Sequence, residues 1–81
     1  MNDSIGKVVH YYDKLGVAVV KLDKKLAAGD RVRFEHGQNS FEQTIESMQL
    51  DHKPINEGNP GDEVAVKVDK KANEGTVLLA V

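Results

Sequence analysis

Apolar residues along this chain return at every second position, and the runs they form are dominated by β-branched side chains, a pattern that predicts half-buried strands. Residues 4–12 form the first candidate strand and residues 15–22 the second, with Asp13-Lys14 between them as a tight hairpin connection. In the second, Ala18, Val20 and Leu22 share one face, while Val17, Val19 and Lys21 share the other. A third strand begins at Asp30, where Val32 and Phe34 point one way and Arg31, Arg33 and Glu35 point the other. Residues 41–50 read as a fourth, with Phe41, Gln43 and Ile45 inward. Strict alternation would then bury Ser47 and Gln49 and expose Met48, so a bulge near Glu46 or Ser47 is expected. Residues 62–68 place Val64, Val66 and Val68 inward as a fifth strand, and residues 76–81 close the set as a sixth.

The connectors are punctuated by residues that suit reversals. Gly29 ends a polar connector, residues 23–29, from which Leu26 is expected to tuck back as an anchor, and residues 36–40 form a polar turn. Residues 51–61 hold both prolines, Pro54 and Pro60, and cannot form a regular central strand, so they are expected to be the long loop, pinned to the core by Ile55. Six short strands without a long helix predict an all-β fold, a closed six-stranded barrel, because closure removes exposed edges. A two-sheet sandwich is the alternative.

With 81 residues the chain is expected to be a single domain spanning residues 1–81. Such a chain buries only a little over ~60% of its unfolded surface, which commits nearly all its large apolar side chains to the core. Cysteine is absent from the sequence, which excludes disulfides and thiolate metal sites and fits a reducing cytoplasm. The opening MNDSIGKVVHYY lacks the apolar core of a secretory signal, and no run approaches a membrane span, so a soluble cytoplasmic protein is expected. Eleven Lys plus Arg against thirteen Asp plus Glu give a net charge of -2, so contact with nucleic acid would need a local basic patch.

Candidate chemistry is sparse. His10, His36 and His52 fall in three separate segments without metal-ligand spacing, and Ser4, Ser40 and Ser47 lack a nucleophile-elbow context. No catalytic, cofactor-binding or metal-binding residue is therefore assigned. Arg31 and Arg33 project from one strand face roughly 7 Å apart, able either to engage neighbouring phosphates or to pair with Glu35, Glu42 or Glu46. Lys67, Lys70 and Lys71 form a second basic group, and Lys24 with Lys25 a third. If the first strand is regular, one of Tyr11 and Tyr12 faces outward.

The order of these pieces resembles the second domain of translational GTPases such as elongation factor Tu. The resemblance is carried by IGKVVHYYDKLGVAVVKL as opening hairpin, by LAAGDRVRF as its Leu-x-x-Gly-Asp-x-Val step, and by TIESMQ before the long loop. INEGNPGDEVAVKV and EGTVLLAV complete it. The chain also resembles free-standing translation elongation factor-like proteins, and a related barrel occurs at the carboxy terminus of collagenase-like peptidases. The resemblance implies a Greek-key barrel and a non-enzymatic binding role, with RNA, the ribosome or a protein partner docking on it. The alternative it implies is an accessory barrel serving a separate enzyme in trans. The chain has no Gly-x-x-x-x-Gly-Lys-Ser/Thr loop, so GTP binding is not expected. Arg31, Arg33, His52 and Lys53 are the expected partner-binding residues, since strand three and the long loop project polar groups that have no packing duty.

Overall fold

A computed structural model describes residues 4–81, and among them every regular element is a strand. The strands are β1 (Ser4–Tyr12), β2 (Val17–Leu22), β3 (Leu26–Ala27), β4 (Arg31–His36), β5 (Asn39–Thr44), β6 (Met48–Leu50), β7 (Lys53–Ile55), β8 (Glu57–Gly58), β9 (Glu63–Lys67) and β10 (Val77–Ala80). Eight of them form one sheet in the order β5-β4-β10-β1-β2-β9-β6-β7, and β3 pairs with β8 in a small second sheet. No helix of the described residues is long and apolar enough to cross a membrane.

The two-residue alternation that predicts the strands also builds the core. Ala18, Val20 and Leu22 of β2 face inward, as do Val32 and Phe34 of β4 and Val64 and Val66 of β9, and all are buried. Phe34 stacks on Phe41 across the β4–β5 pair, with ring centroids 4.9 Å apart. Leu26 is fully buried and Ile55 packs against the same cluster, so both large apolar residues of the connectors act as anchors. Gly6 is buried where β1 crosses β2, so close that a Cβ would sit 2.5 Å from the Lys21 carbonyl oxygen.

Two irregularities redirect side chains. In β1 the pairing with β2 runs Val8 opposite Val20 and then His10 opposite Val19, so Val9 is an extra residue. Such a bulge reverses the parity of everything after it. Tyr11 therefore leans on the core, whereas His10 and Tyr12 turn outward, their rings edge-to-face at 4.3 Å. The second irregularity falls at residues 45–47, where the expected long fourth strand breaks. The chain leaves β4 after Thr44 and resumes as β6 beside β9, which buries Met48 by a change of partner in place of a bulge.

That break is why the expected closed six-stranded barrel is not found. The fold is all-β, but the sheet is open, with β5 and β7 at its two ends and no ladder joining them. The Gln43 side chain bridges part of the gap. Its Nε2 donates to the Lys67 carbonyl at 2.9 Å and its Oε1 accepts from the Asp69 N–H at 2.8 Å, which ties β5 to the end of β9 through a buried amide. The expected long loop is likewise shorter than 51–61, because β7 and β8 lie within it, both in edge positions that tolerate Pro54 and Gly58.

Candidate functional site

The outward face of β1, β2, β9 and β6 is a grid fixed by register. Tyr12 lies opposite Val17 and Val17 opposite Lys67; His10 lies opposite Val19, Val19 opposite Ala65, and Ala65 opposite Gln49; Lys7 lies opposite Lys21, and Lys21 opposite Glu63. Tyr12, Val17, Val19 and Ala65 put four apolar or aromatic side chains together in the first two rows, on a face that should be polar in an isolated module.

Two turns frame this face. After Tyr12 the chain reverses through residues 13–16, with Gly16 at φ 64° and the Tyr12 carbonyl accepting from the N–H groups of both Leu15 and Gly16. Leu15 thereby sits in the turn, 65% exposed, and not in β2 as expected. At the other side, Leu50 pairs with Lys53, so Asp51 and His52 are the two central residues of the β6–β7 hairpin. Their φ values of 53° and 65° give the doubly left-handed backbone of a type I′ turn. Asn-Gly is the usual pair there. Asp and His are among the side chains that best tolerate this region, yet each stores strain that a glycine would not.

Between the turns runs an open groove of about 410 Å³ lined by Tyr12, Leu15, Val17, Val19, Gln49, Asp51, His52, Glu63 and Ala65. Its floor and one wall are aliphatic or aromatic, and its charged lining groups are the carboxylates of Asp51 and Glu63. A groove of this make-up suits capture of an apolar side chain from another molecule. Among the described residues no cluster of His, Asp or Glu is arranged to hold a metal ion.

Of the expected partner-binding residues, only His52 lines this groove. Lys53 follows it at the start of β7, exposed. Arg31 and Arg33 lie on β4, near the opposite end of the strand order, and are occupied. Arg33 donates to a Glu42 carboxylate oxygen from Nε at 3.2 Å and from a terminal nitrogen at 2.8 Å, and it stands 3.9 Å from Glu35. Arg31 reaches the other Glu42 oxygen at 3.6 Å. The bond to Glu42 raises the Arg33 pKa, and the bond from Arg33 holds the Glu42 carboxyl below its ordinary value, assisted by the charges of Arg33 and Arg31. Both arginines are thus paired with carboxylates on the surface. Sequence reasoning missed Tyr12, Leu15, Val17, Val19 and Ala65 as a group. Val17, Val19 and Ala65 face outward by alternation alone, but Tyr12 joins them only because of the Val9 bulge, and two adjacent valines carry no mark that distinguishes a bulge from a strand.

No family model matches the chain. It is similar to an uncharacterized protease of Methanocaldococcus jannaschii, 33% identical over 72 residues that make up 88% of this chain and 18% of that protein, so it spans less than a fifth of its curated relative. It is also similar to the C-terminal domain of a U32 peptidase of Geobacillus thermoleovorans, known from two crystal structures. One superposes with a TM-score of 0.89 at 23% identity, covering 94% of this chain and 96% of that one. The other gives 0.91 at 22% identity, with 98% and 92% covered. At these identities the likeness is one of fold.

These relatives correct the expected kinship with the second domain of translational GTPases and with free-standing elongation factor-like proteins. The neighbours are a peptidase domain and a protease. The motifs behind the expectation explain the error. A Gly-Asp turn entering an alternating strand, and a polar segment with two prolines, encode a chain path that any module of this topology needs, whatever it binds. The RNA and ribosome expectation loses its support with the kinship. Of the three resemblances, the one to the carboxy-terminal module of collagenase-like peptidases accords with these neighbours.

Proposed function

We propose that this chain, with residues 1–81 as one unit, is a non-catalytic accessory module that docks on a U32-type peptidase acting as a separate enzyme in trans. The observation that carries this reading is the fold likeness to the C-terminal domain of such a peptidase over 94% of the chain. The groove between the two turns supplies a docking surface, since Leu15 and Tyr12 are 65% and 46% exposed and gain by leaving water. The lack of cysteine fits a reducing compartment such as the cytoplasm.

The test is sedimentation velocity with the purified chain and a U32 peptidase of the same source, both full length and lacking its own C-terminal domain. A one-to-one complex with the shortened peptidase is expected. Burying most of a leucine side chain contributes about 1.5 kcal/mol, so Leu15→Ala should weaken the complex roughly tenfold. Replacing Arg31 and Arg33 together should leave it unchanged. Independent sedimentation of the two proteins would remove the reading.

A further inference from the structure

We propose that the groove receives an apolar side chain flanked by lysine or arginine, presented by the docking protein. This rests on the docking reading and adds the chemistry of the docked segment. Val17, Val19, Ala65, Leu15 and Tyr12 furnish contact for an aliphatic or aromatic anchor, and the groove is large enough for one side chain and its neighbours.

The charges decide what flanks that anchor. Four carboxylate–cation contacts occur elsewhere on the surface, and they engage Glu35, Glu42 and Glu57. Among the described residues, neither Asp51 nor Glu63 has a cation within 4.0 Å, although both line the groove. Lys21 lies directly opposite Glu63 and Lys67 is on the same sheet face, but neither lines the groove and neither comes within 4.0 Å of its carboxylates. Asp51 has a short side chain with few rotatable bonds, so its carboxylate loses little freedom when it pairs. A purely apolar segment would cover these carboxylates and leave them without partners, which is unfavourable. An acidic segment, or the phosphates of RNA, would meet like charge. A segment carrying Lys or Arg beside its apolar residue satisfies both requirements.

The probes are two blocked pentapeptides, acetyl-Gly-Arg-Leu-Arg-Gly-amide and its counterpart with Glu in place of Arg, titrated into the full chain labelled with nitrogen-15. The Arg peptide should shift the amides of Leu15, Val19, Asp51 and Ala65 and bind about three- to tenfold more tightly than the Glu peptide, as expected for a pair of exposed ion contacts. Asp51→Asn combined with Glu63→Gln should abolish the difference between the peptides. Raising salt from about 0.01 M to about 1 M, over which the screening length falls from ~30 Å to ~3 Å, should do the same to the unaltered chain. Equal responses to the two peptides, or shifts confined to residues outside the groove, overturn the proposal even where the peptidase complex forms. A preference for the Arg peptide supports it even where no peptidase complex forms, and in that case it is the identity of the docking protein that falls.

Discussion

Replacing Gln43 with alanine should cost this small protein a large part of its stability, because one buried amide ties β5 to the end of β9, which no backbone ladder joins. The side chain is 5% exposed and makes two bonds to backbone, at 2.9 Å to the Lys67 carbonyl and 2.8 Å to the Asp69 N–H. Each such bond contributes about 1 kcal/mol net, and leaving its backbone partner short of water costs on the order of a further 1 kcal/mol, so a loss of ~3 kcal/mol is expected once incomplete rehydration is allowed for. At ~4–8 °C per kcal/mol for a domain of this size, the thermal midpoint should fall by roughly 12–24 °C, read by far-ultraviolet circular dichroism. Gln43→Glu refines the test. Its carboxylate can still accept from Asp69 but has no proton for the Lys67 carbonyl, whereas the protonated acid can donate. That variant should therefore gain stability relative to the parent as pH falls through the carboxyl range, since burial beside a carbonyl oxygen raises its folded pKa above the unfolded one and the stabilisation is present only below it. An alanine variant within about 1 kcal/mol of the parent would refute the reasoning, because two buried bonds to backbone cannot be lost so cheaply.

Three further outcomes follow from single side chains. Gly6→Ala should destabilise by about 2–3 kcal/mol in urea unfolding, since the new Cβ would lie 2.5 Å from the Lys21 carbonyl oxygen and 2.9 Å from a Val20 methyl, and the first is backbone that cannot move without shifting β2. Thr76→Val should stabilise by about 1 kcal/mol in the same assay, because the Thr76 hydroxyl is buried with no hydrogen-bond partner and valine has nearly its shape. Glu42→Gln should flatten the acid limb of the stability curve: the Glu42 carboxyl is held below its ordinary value of 4.5, so its contribution is complete above that pH and is lost as pH falls through the lower folded value.

Much of the fold is legible in the sequence because its determinants are local. The first strand has the bounds the pattern predicts, and the inward sets of β2, β4 and β9 follow from alternation alone. Leu26 and Ile55 are readable as anchors because a single large apolar residue in an otherwise polar or small-residue connector has few other uses. What alternation cannot convey is a change of partner. The run from Phe41 to Leu50 carries the pattern of one strand with a defect, and only long-range pairing reveals that the defect is where the chain abandons β4 for β9. The open sheet follows from that step. The groove was hidden for a related reason. Whether Tyr12 faces water depends on an extra residue at Val9, and whether Asp51 and His52 approach it depends on a turn built from a pair that is not Asn-Gly. Arg31 and Arg33 draw attention in a sequence because charge is visible there, while the glutamate that occupies them lies on the neighbouring strand.

Docking through this groove can be measured by isothermal titration calorimetry of the chain against the U32 peptidase that lacks its own C-terminal domain, comparing the parent with Val19→Glu. Val19 lies in the middle row of the outward grid, between His10 and Ala65, and has no place in the buried core. The parent should give saturable one-to-one heat, and the variant, melting at nearly the same temperature, should give none, because a carboxylate at the groove floor would be buried against the partner's apolar anchor. Equal heats from the two proteins, or none from the parent, would contradict the account.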